Sequence, residues 1–222
     1  PLKALPMLSL REFAKEQNLP MPPVACFTAT AKTSVVEEIG THFREELEQE
    51  LFLYAGGVER DNLSFEVIPV STAEKFEKVQ EIIAAQLKEA NEPAGIIVYA
   101  ATRKTTEKIR DFLNQQGLSA DAFHAGLDAK VKREIIEAFI DGDIPVICAT
   151  NAFGMGIDKE NIRLVLHHEM PGSLENYIQE AGRAGRDSKP ARCVLLYDPQ
   201  DANWQFGMGA FSEVRQKEVA RI

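Results

Sequence analysis

Gly95-Ile-Ile-Val-Tyr-Ala100 is a continuous apolar run with no polar residue alternating through it. Such a run predicts a strand covered on both faces, the central strand of a parallel sheet. Helical stripes surround it. Upstream, Phe76, Val79, Ile83 and Leu87 recur at helical spacing behind Ser71-Thr-Ala-Glu74, which reads as a capping box. Downstream, a helix is expected near Thr105–Gln116, burying Ile109, Phe112 and Leu113 and ending at Gly117.

The unit then repeats. Ala120–His124 predicts a short strand, and Val131, Ile135, Ile136 and Phe139 stripe a helix ending near Gly142. Ile144–Ala149 and Arg163–His167 read as buried strands, followed by a helix near Ser173–Gly185 and a last strand at Ala191–Tyr197. On the other side, Leu63–Val70 is strand-like. Strands alternating with helices of about ten to fifteen residues define an α/β fold, a parallel sheet flanked by helices. Ligands of such sheets bind at the carboxyl ends of the strands. The loops Ala100–Arg103, His124–Gly126 and Thr150–Asp158 are expected to gather there.

Before Gly56-Gly57, which reads as a hinge, the pattern is shorter. A capping box at Ser9-Leu-Arg-Glu12 opens a short helix expected to bury Leu10, Phe13 and Ala14. Val24–Phe27 reads as a strand, and a helix over Thr33–Leu47 places Val35, Val36, Ile39, Phe43 and Leu47 on one face.

The 222 residues are 45% hydrophobic and 27% charged, ordinary for a globular protein with a sizeable core. No run of 18 apolar residues occurs, so no membrane partner is expected. Residue 1 is Pro and not Met, so the chain is expected to be a piece of a longer product. Cys26, Cys148 and Cys193 form no CxxC pair and read as reduced, buried thiols of an intracellular protein. The four histidines show no ligand spacing, and no metal site is expected. The net charge of −9 argues against a generally basic nucleic-acid surface, so any anion site has to be local.

Such a local site is offered by Gln179-Glu-Ala-Gly-Arg-Ala-Gly-Arg-Asp187. On a continued helix, Gln179, Arg183 and Arg186 fall within one narrow arc. Gly182 and Gly185 would each cost such a helix about 1 kcal/mol relative to Ala. Paired planar guanidiniums beside a backbone able to approach closely suit phosphate. One unit earlier, Thr150-Asn-Ala-Phe-Gly-Met-Gly-Ile-Asp158 follows a buried strand. Gly154 and Gly156 free the backbone for a ligand, Thr150 offers a hydroxyl and Asp158 a carboxylate suited to a sugar hydroxyl; a tight structural turn reads equally from the Gly-x-Gly alone.

The segments IIVYAATR, FHAGL, VICATNAFGMGIDK and YIQEAGRAGRD, in that order, resemble motifs IV, V and VI of superfamily 2 helicases, specifically the RecQ family. CFTATA at 26–31 resembles motif III, and ERDNL at 59–63 and ARCVLLYDPQD at 191–201 resemble flanking segments of that family. The resemblance covers about residues 25 to 202. It implies RecA-like lobes: a remnant of lobe 1 over residues 1–56, lobe 2 over 57–200, and a C-terminal extension over 201–222.

The implied activity is that of an ATP-dependent 3′-5′ DNA helicase, with ATP and Mg²⁺ bound mainly by lobe 1 and single-stranded or forked DNA crossing both lobes. Arg183 and Arg186 would face the nucleotide, the second as arginine finger on the γ-phosphate, with Gln179, Asp158 and Gly156 at the ATP site. Thr102, Arg103 and Thr150 would contact the DNA backbone. Phe153 and Met155 either pack at the interlobe surface or contact DNA. Thr28, Thr30 and His124 are coupling candidates, although Thr28-Ala-Thr30 also reads as a strand-to-helix turn with an N-cap and His124 as an ordinary loop histidine. The implied location is the cytoplasm or nucleoid of a bacterium, or the nucleus of a eukaryote.

Three departures from the family pattern stand out. No Gly-x-x-x-x-Gly-Lys-[Ser/Thr] and no Asp-Glu pair of the DExH type occurs, so the chain alone is expected to be inactive as an ATPase. Ala100 or Ala101 replaces the usual motif IV cysteine, and no zinc-binding cysteine cluster follows. A different class of function, a non-catalytic RecA-like adaptor binding nucleic acid or a partner protein, also accommodates the missing P-loop. An RNA helicase of the same superfamily is a third reading.

Overall fold

The computed structural model describes residues 12–20, 24–26, 33–47, 49–54, 60–89, 92–154 and 157–201. The expectations for Ser9, Leu10, Thr28, Thr30, Met155 and Gly156 lie outside these residues, as does the expected C-terminal extension beyond residue 201. The chain divides into two compact units, Pro1–Val58 and Glu59–Ile222.

In the first unit, residues 12–16 are helical; Ala14 is buried, whereas Phe13, expected inside, is 55% exposed. Helix α1 spans Thr33–Leu47 and buries Phe43, with Val36 and Ile39 half-buried on the same face and Val35 outside it. Residues 24–26 carry no strand ladder, because a strand forms only against a neighbour and this unit supplies none among the described residues. Cys26 is exposed, contrary to the expectation of three buried thiols, while Cys148 and Cys193 are buried.

The second unit alternates as expected: β1 Leu63–Pro69, α2 Lys75–Glu89, β2 Gly95–Tyr99, α3 Arg103–Gln115, β3 Ala120–Phe123, α4 Ala129–Asp141, β4 Val146–Ala149, β5 Ile162–His167, α5 Leu174–Ala181 and β6 Ala191–Tyr197. The sheet order is β1-β6-β5-β2-β4-β3, and every pairing is parallel. All five β2 residues are buried. Flanked by β4 and β5, β2 is the strand whose neighbours on both sides come from later in the chain.

Alternation of side chains along the strands divides the core in two. Ile96 and Val98 face α2 and α3, joining Val79, Ile83, Ile109 and Leu113. Ile97 and Tyr99 face the opposite layer, with Ile135 and Phe139 of α4 and Ala181 of α5. Helix ends follow local chemistry. Thr102 caps α3 by accepting from the Thr105 amide, and α4 stops where Gly142 takes φ +92°. The capping box at Ser71 is altered: Thr72–Glu74 is a 3₁₀ turn, the Ser71 hydroxyl donates to the Glu74 carboxylate, and the Thr72 amide is held by Asp198 at 2.7 Å.

Between β4 and β5 no helix intervenes among the described residues. The chain after Ala149 has to return to the other end of the sheet, and it covers the α4/α5 face itself by burying Phe153 and Ile157. Phe153 therefore packs against Phe123 and Phe139, with ring centroids 4.8 and 5.9 Å away, and is 1% exposed. Its ring is core, and the expectation that it contacts DNA is corrected on that ground.

At the start of α2, Lys75 is buried, its Nζ donating to His168 O and to Asp201 Oδ2, both at 2.6 Å. The pair ties the segment after β6 to the loop after β5. Removing one member of such a pair leaves an uncompensated buried charge. We predict that Lys75→Ala lowers unfolding stability by about 3–5 kcal/mol, measured by urea denaturation.

Candidate functional site

The loops following β2, β3, β4 and β5 end on one side of the sheet, as all strands run in parallel. Arginines 183 and 186 reach this side differently from the sequence expectation. Helix α5 starts at its N-cap Ser173 and ends at Ala181, so the two arginines share no helical face; residues 182–187 are turns. Gly182 closes the helix, its amide donating to Ile178 O at 2.8 Å. Gly185 takes φ +54°, where a Cβ would stand 2.5 Å from Asn62 Nδ2 and 2.7 Å from Lys189 O. The glycines thus dissolve the last turns of the expected helix, and contacts from outside it take over their polar groups.

Both guanidiniums turn to the loop after β4. Arg183 Nη1 donates to Gly154 O, and a Cβ at Gly154 would fall 2.5 Å from Arg183 Cζ. The close approach that the Gly-x-Gly pattern permits is occupied here by an arginine side chain. Arg186 Nη1 donates to Ile157 O at 3.0 Å and to Asp158 Oδ1 at 3.1 Å. Asp158 is 86% exposed in that pair, so the ion pair is worth at most about 1 kcal/mol and yields easily to a competing anion. Gln179 lies exposed in the last turn of α5. Arg183 Nε is buried with no hydrogen-bond partner among the described residues.

Around the arginines lies a buried network that sequence reading missed. His167 Nε2 is 2.8 Å from Glu180 Oε2, and its ring stacks on Tyr99 at 5.2 Å. The Tyr99 hydroxyl donates to Phe153 O at 2.9 Å. Burial pushes the Tyr99 phenol far above its ordinary pKa, against the opposing pull of Arg183, so it stays a donor. A cleft of about 200 Å³ opens beside it, lined by Tyr99, Ala101, Asn151, Glu169, Asn176 and Glu180.

The candidates for DNA contact sit on the neighbouring loops. Thr102 Oγ1 is engaged as the α3 cap, accepting from the Thr105 amide at 3.0 Å. Arg103 is exposed in the first turn of α3, and a Cβ at Gly126 would stand 2.8 Å from its Nη1. Thr150 is buried at the end of β4, its amide donating to Phe123 O. His124 is buried, with Nε2 3.1 Å from Glu107 Oε1. A second cleft of about 320 Å³ is lined by Thr72, Lys75, Thr102, Thr105, His168 and Glu169. Burial alone would raise the Glu169 carboxyl pKa. The adjacent His168 ring, the Ala101 amide and Lys75 outweigh it and hold the carboxyl below its usual range.

Two further side chains come to the arginine loop from the start of the second unit. Arg60 and Asn62 donate to carbonyls of residues 182–189. Their segment, ERDNL, stood out in the sequence only as a resemblance, because spacing cannot reveal a contact across more than 120 residues.

A parallel sheet covered on both faces, with glycine loops and paired arginines at its carboxyl edge, defines an α/β lobe of the class whose ligands bind at the carboxyl ends of the strands. Residues 74–188 match the helicase conserved C-terminal domain. The chain is 38% identical over 197 residues to the ATP-dependent DNA helicase RecQ of Bacillus subtilis, covering 89% of this chain and 32% of that protein. It is also 38% identical over 194 residues to the RecQ-like DNA helicase blm-1 of Caenorhabditis elegans, covering 87% of this chain and 18% of that protein. The chain thus spans a third or less of the length of these relatives. Among solved structures, domain 2 of the DEAD-box helicase Mss116p bound to an RNA duplex superposes with TM-score 0.54 at 26% identity, covering 61% of this chain and 54% of that one. The chain belongs to the helicase C-terminal domain family, as the C-terminal part of a RecQ-family helicase with a RecA-like fold.

Two outcomes follow from the geometry. Gly154→Ala forces the Arg183 guanidinium off its carbonyl, and we predict a loss of about 1.5–3 kcal/mol in denaturant unfolding, the worth of a hydrogen bond to a charged group. Glu169 titrates at lower pH folded than unfolded, so the unfolded chain binds more protons and stability falls on acidification. Glu169→Gln is expected to flatten the decline in unfolding midpoint between about pH 5 and pH 3.

Proposed function

We propose that this chain is the C-terminal lobe of an ATP-dependent 3′-5′ DNA helicase, acting with a lobe 1 that carries the P-loop and DExH carboxylates. Residues 57–200 form the second lobe in this reading, residues 1–56 a remnant of the first, and residues 201–222 an extension. Arg183 and Arg186 close the ATP site across the interlobe cleft. The observation that carries the reading is the pair of arginines on one glycine-broken loop, both hydrogen-bonded to the loop after β4.

The chemistry asks little of covalent catalysis. Phosphoryl transfer gains most from positive charge placed on the transferring group, and an arginine finger is worth about 10³–10⁵ in rate. Arg186, held among the described residues by Ile157 O and an exposed carboxylate, is free to exchange those contacts for a γ-phosphate. Arg183 is seated deeper and keeps the loop after β4 in step with it. Gln179, Asp158 and Gly156 complete the nucleotide side. Mg²⁺ enters with ATP and is held mainly by lobe 1.

DNA contact is assigned to the loops after β2 and β4. Arg103 supplies an exposed guanidinium at the first turn of α3, where helix amides also favour phosphate. Thr102 and Thr150 contribute through the backbone positions they fix, since the Thr102 hydroxyl serves as cap. The Met155 contact and the coupling roles of Thr28, Thr30 and His124 belong to the same reading. An adaptor without catalysis remains the second reading, favoured by the net charge of −9.

In the full-length protein, Arg186→Ala is expected to remove most DNA-stimulated ATP turnover while ATP binding, followed by fluorescent nucleotide titration, stays largely intact. Unchanged turnover refutes the finger assignment. The chain by itself is expected to bind single-stranded DNA weakly, with affinity falling as salt rises in an anisotropy titration; salt-independent binding would remove the phosphate contacts from the reading.

A further inference from the structure

We propose that Arg60, braced by Asn62, is a positioning residue for the arginine loop, setting where Arg183 and Arg186 point. The proposal rests on the reading of Arg186 as the arginine finger. Arg60 Nη2 donates to Ala184 O at 2.7 Å and to Gly185 O at 2.8 Å, and Nη1 reaches Gly182 O at 3.5 Å. Its Nε donates to Asn62 Oδ1 at 3.3 Å. Asn62 Nδ2 in turn donates to Gly185 O at 2.8 Å and Lys189 O at 2.9 Å. One guanidinium and one amide therefore hold the peptide groups lying between the two arginines and those just beyond the second.

The placement answers a local need. Helix α5 ends at Ala181, so the carbonyls that follow have no partner in a continuing helix. A cation at a helix C-terminal end is the favourable group for them. Arg60 supplies a planar fork that engages several carbonyls at once, which a lysine ammonium cannot reproduce. On the other side, the Gly185 amide donates to Ile162 O at 2.9 Å, and Asp187 pairs with Arg163. Gly185 is thus held by both its amide and its carbonyl at φ +54°, one residue before Arg186. The Cβ-less position is also what admits Asn62, since a Cβ there would meet its Nδ2 at 2.5 Å. The loop's own glycines permit its conformation, and contacts from the segment leading into β1 and from β5 hold it.

A clamp of this kind acts on the chemical step and not on ATP affinity, because a finger displaced by about 1 Å loses its placement on the transition state. In the full-length helicase, Arg60→Ala is expected to lower DNA-stimulated kcat by about 10- to 100-fold while KM for ATP changes by less than about threefold. Arg60→Lys is expected to restore only part of that loss. In an Arg186→Ala background, Arg60→Ala is expected to lower kcat no further, because the group it positions is already gone. Thermal melting accompanies each variant. Should Arg60→Ala not fold, Asn62→Ala removes the brace alone and is expected to reduce kcat in the same direction by less. A folded Arg60 or Asn62 variant with parental kcat, beside an inactive Arg186→Ala, overturns the clamp and leaves the finger standing. An active Arg186→Ala overturns both. Full additivity of the two substitutions marks Arg60 as merely structural and also overturns the proposal.

Discussion

Strand β2 is the constraint on which the rest of the second unit depends. Its five residues are buried, so each backbone amide and carbonyl needs a partner strand, and each face needs a layer of helices. β4 and β5 meet the first demand from either side. α2 and α3 cover one face, and α4, α5 and the β4–β5 connection cover the other. Because the chain leaves β2 towards β3 on one side and leaves the neighbouring β5 towards β6 on the other, the loops after β2, β4 and β5 converge at the carboxyl end of β2. The site is a consequence of how that strand is covered.

The β4–β5 connection serves two purposes that compete. It has to return across a core face without a helix, and so it spends Phe153 and Ile157 on burial. It also offers Gly154 O and Ile157 O to the arginines. Packing of the first two side chains fixes the position of the carbonyls used in the second role. The arginine loop shows the matching economy: glycines weaken a helix by about 1 kcal/mol each, and the polar groups so released are engaged by residues distant in sequence.

Much of the fold was legible. The apolar runs at 95–100, 144–149 and 163–167 became β2, β4 and β5, and the helical stripes became α1 to α4 within a few residues, since burial periodicity and end signals are local properties. The exceptions share a cause. Phe13 and Cys26 are exposed, Phe153 is core, and the helix expected to run to Gly185 stops at Ala181. In each case apolarity or spacing was right as a tendency, but a partner elsewhere in the chain, or its lack among the described residues, decided the outcome.

The sequence by itself determined the order of strands and helices, the parallel character of the sheet, and the cluster of arginines and glycines at its carboxyl edge. These follow from periodicity, from chain chirality and from the chemistry of individual residue types. Only the tertiary structure decided which groups those arginines meet, that Tyr99, His167 and Glu180 form one buried network, and that Arg60 and Asn62 hold the arginine loop. These contacts join residues from 13 to more than 120 positions apart, through different elements, and they depend on distance in space, which no local pattern encodes.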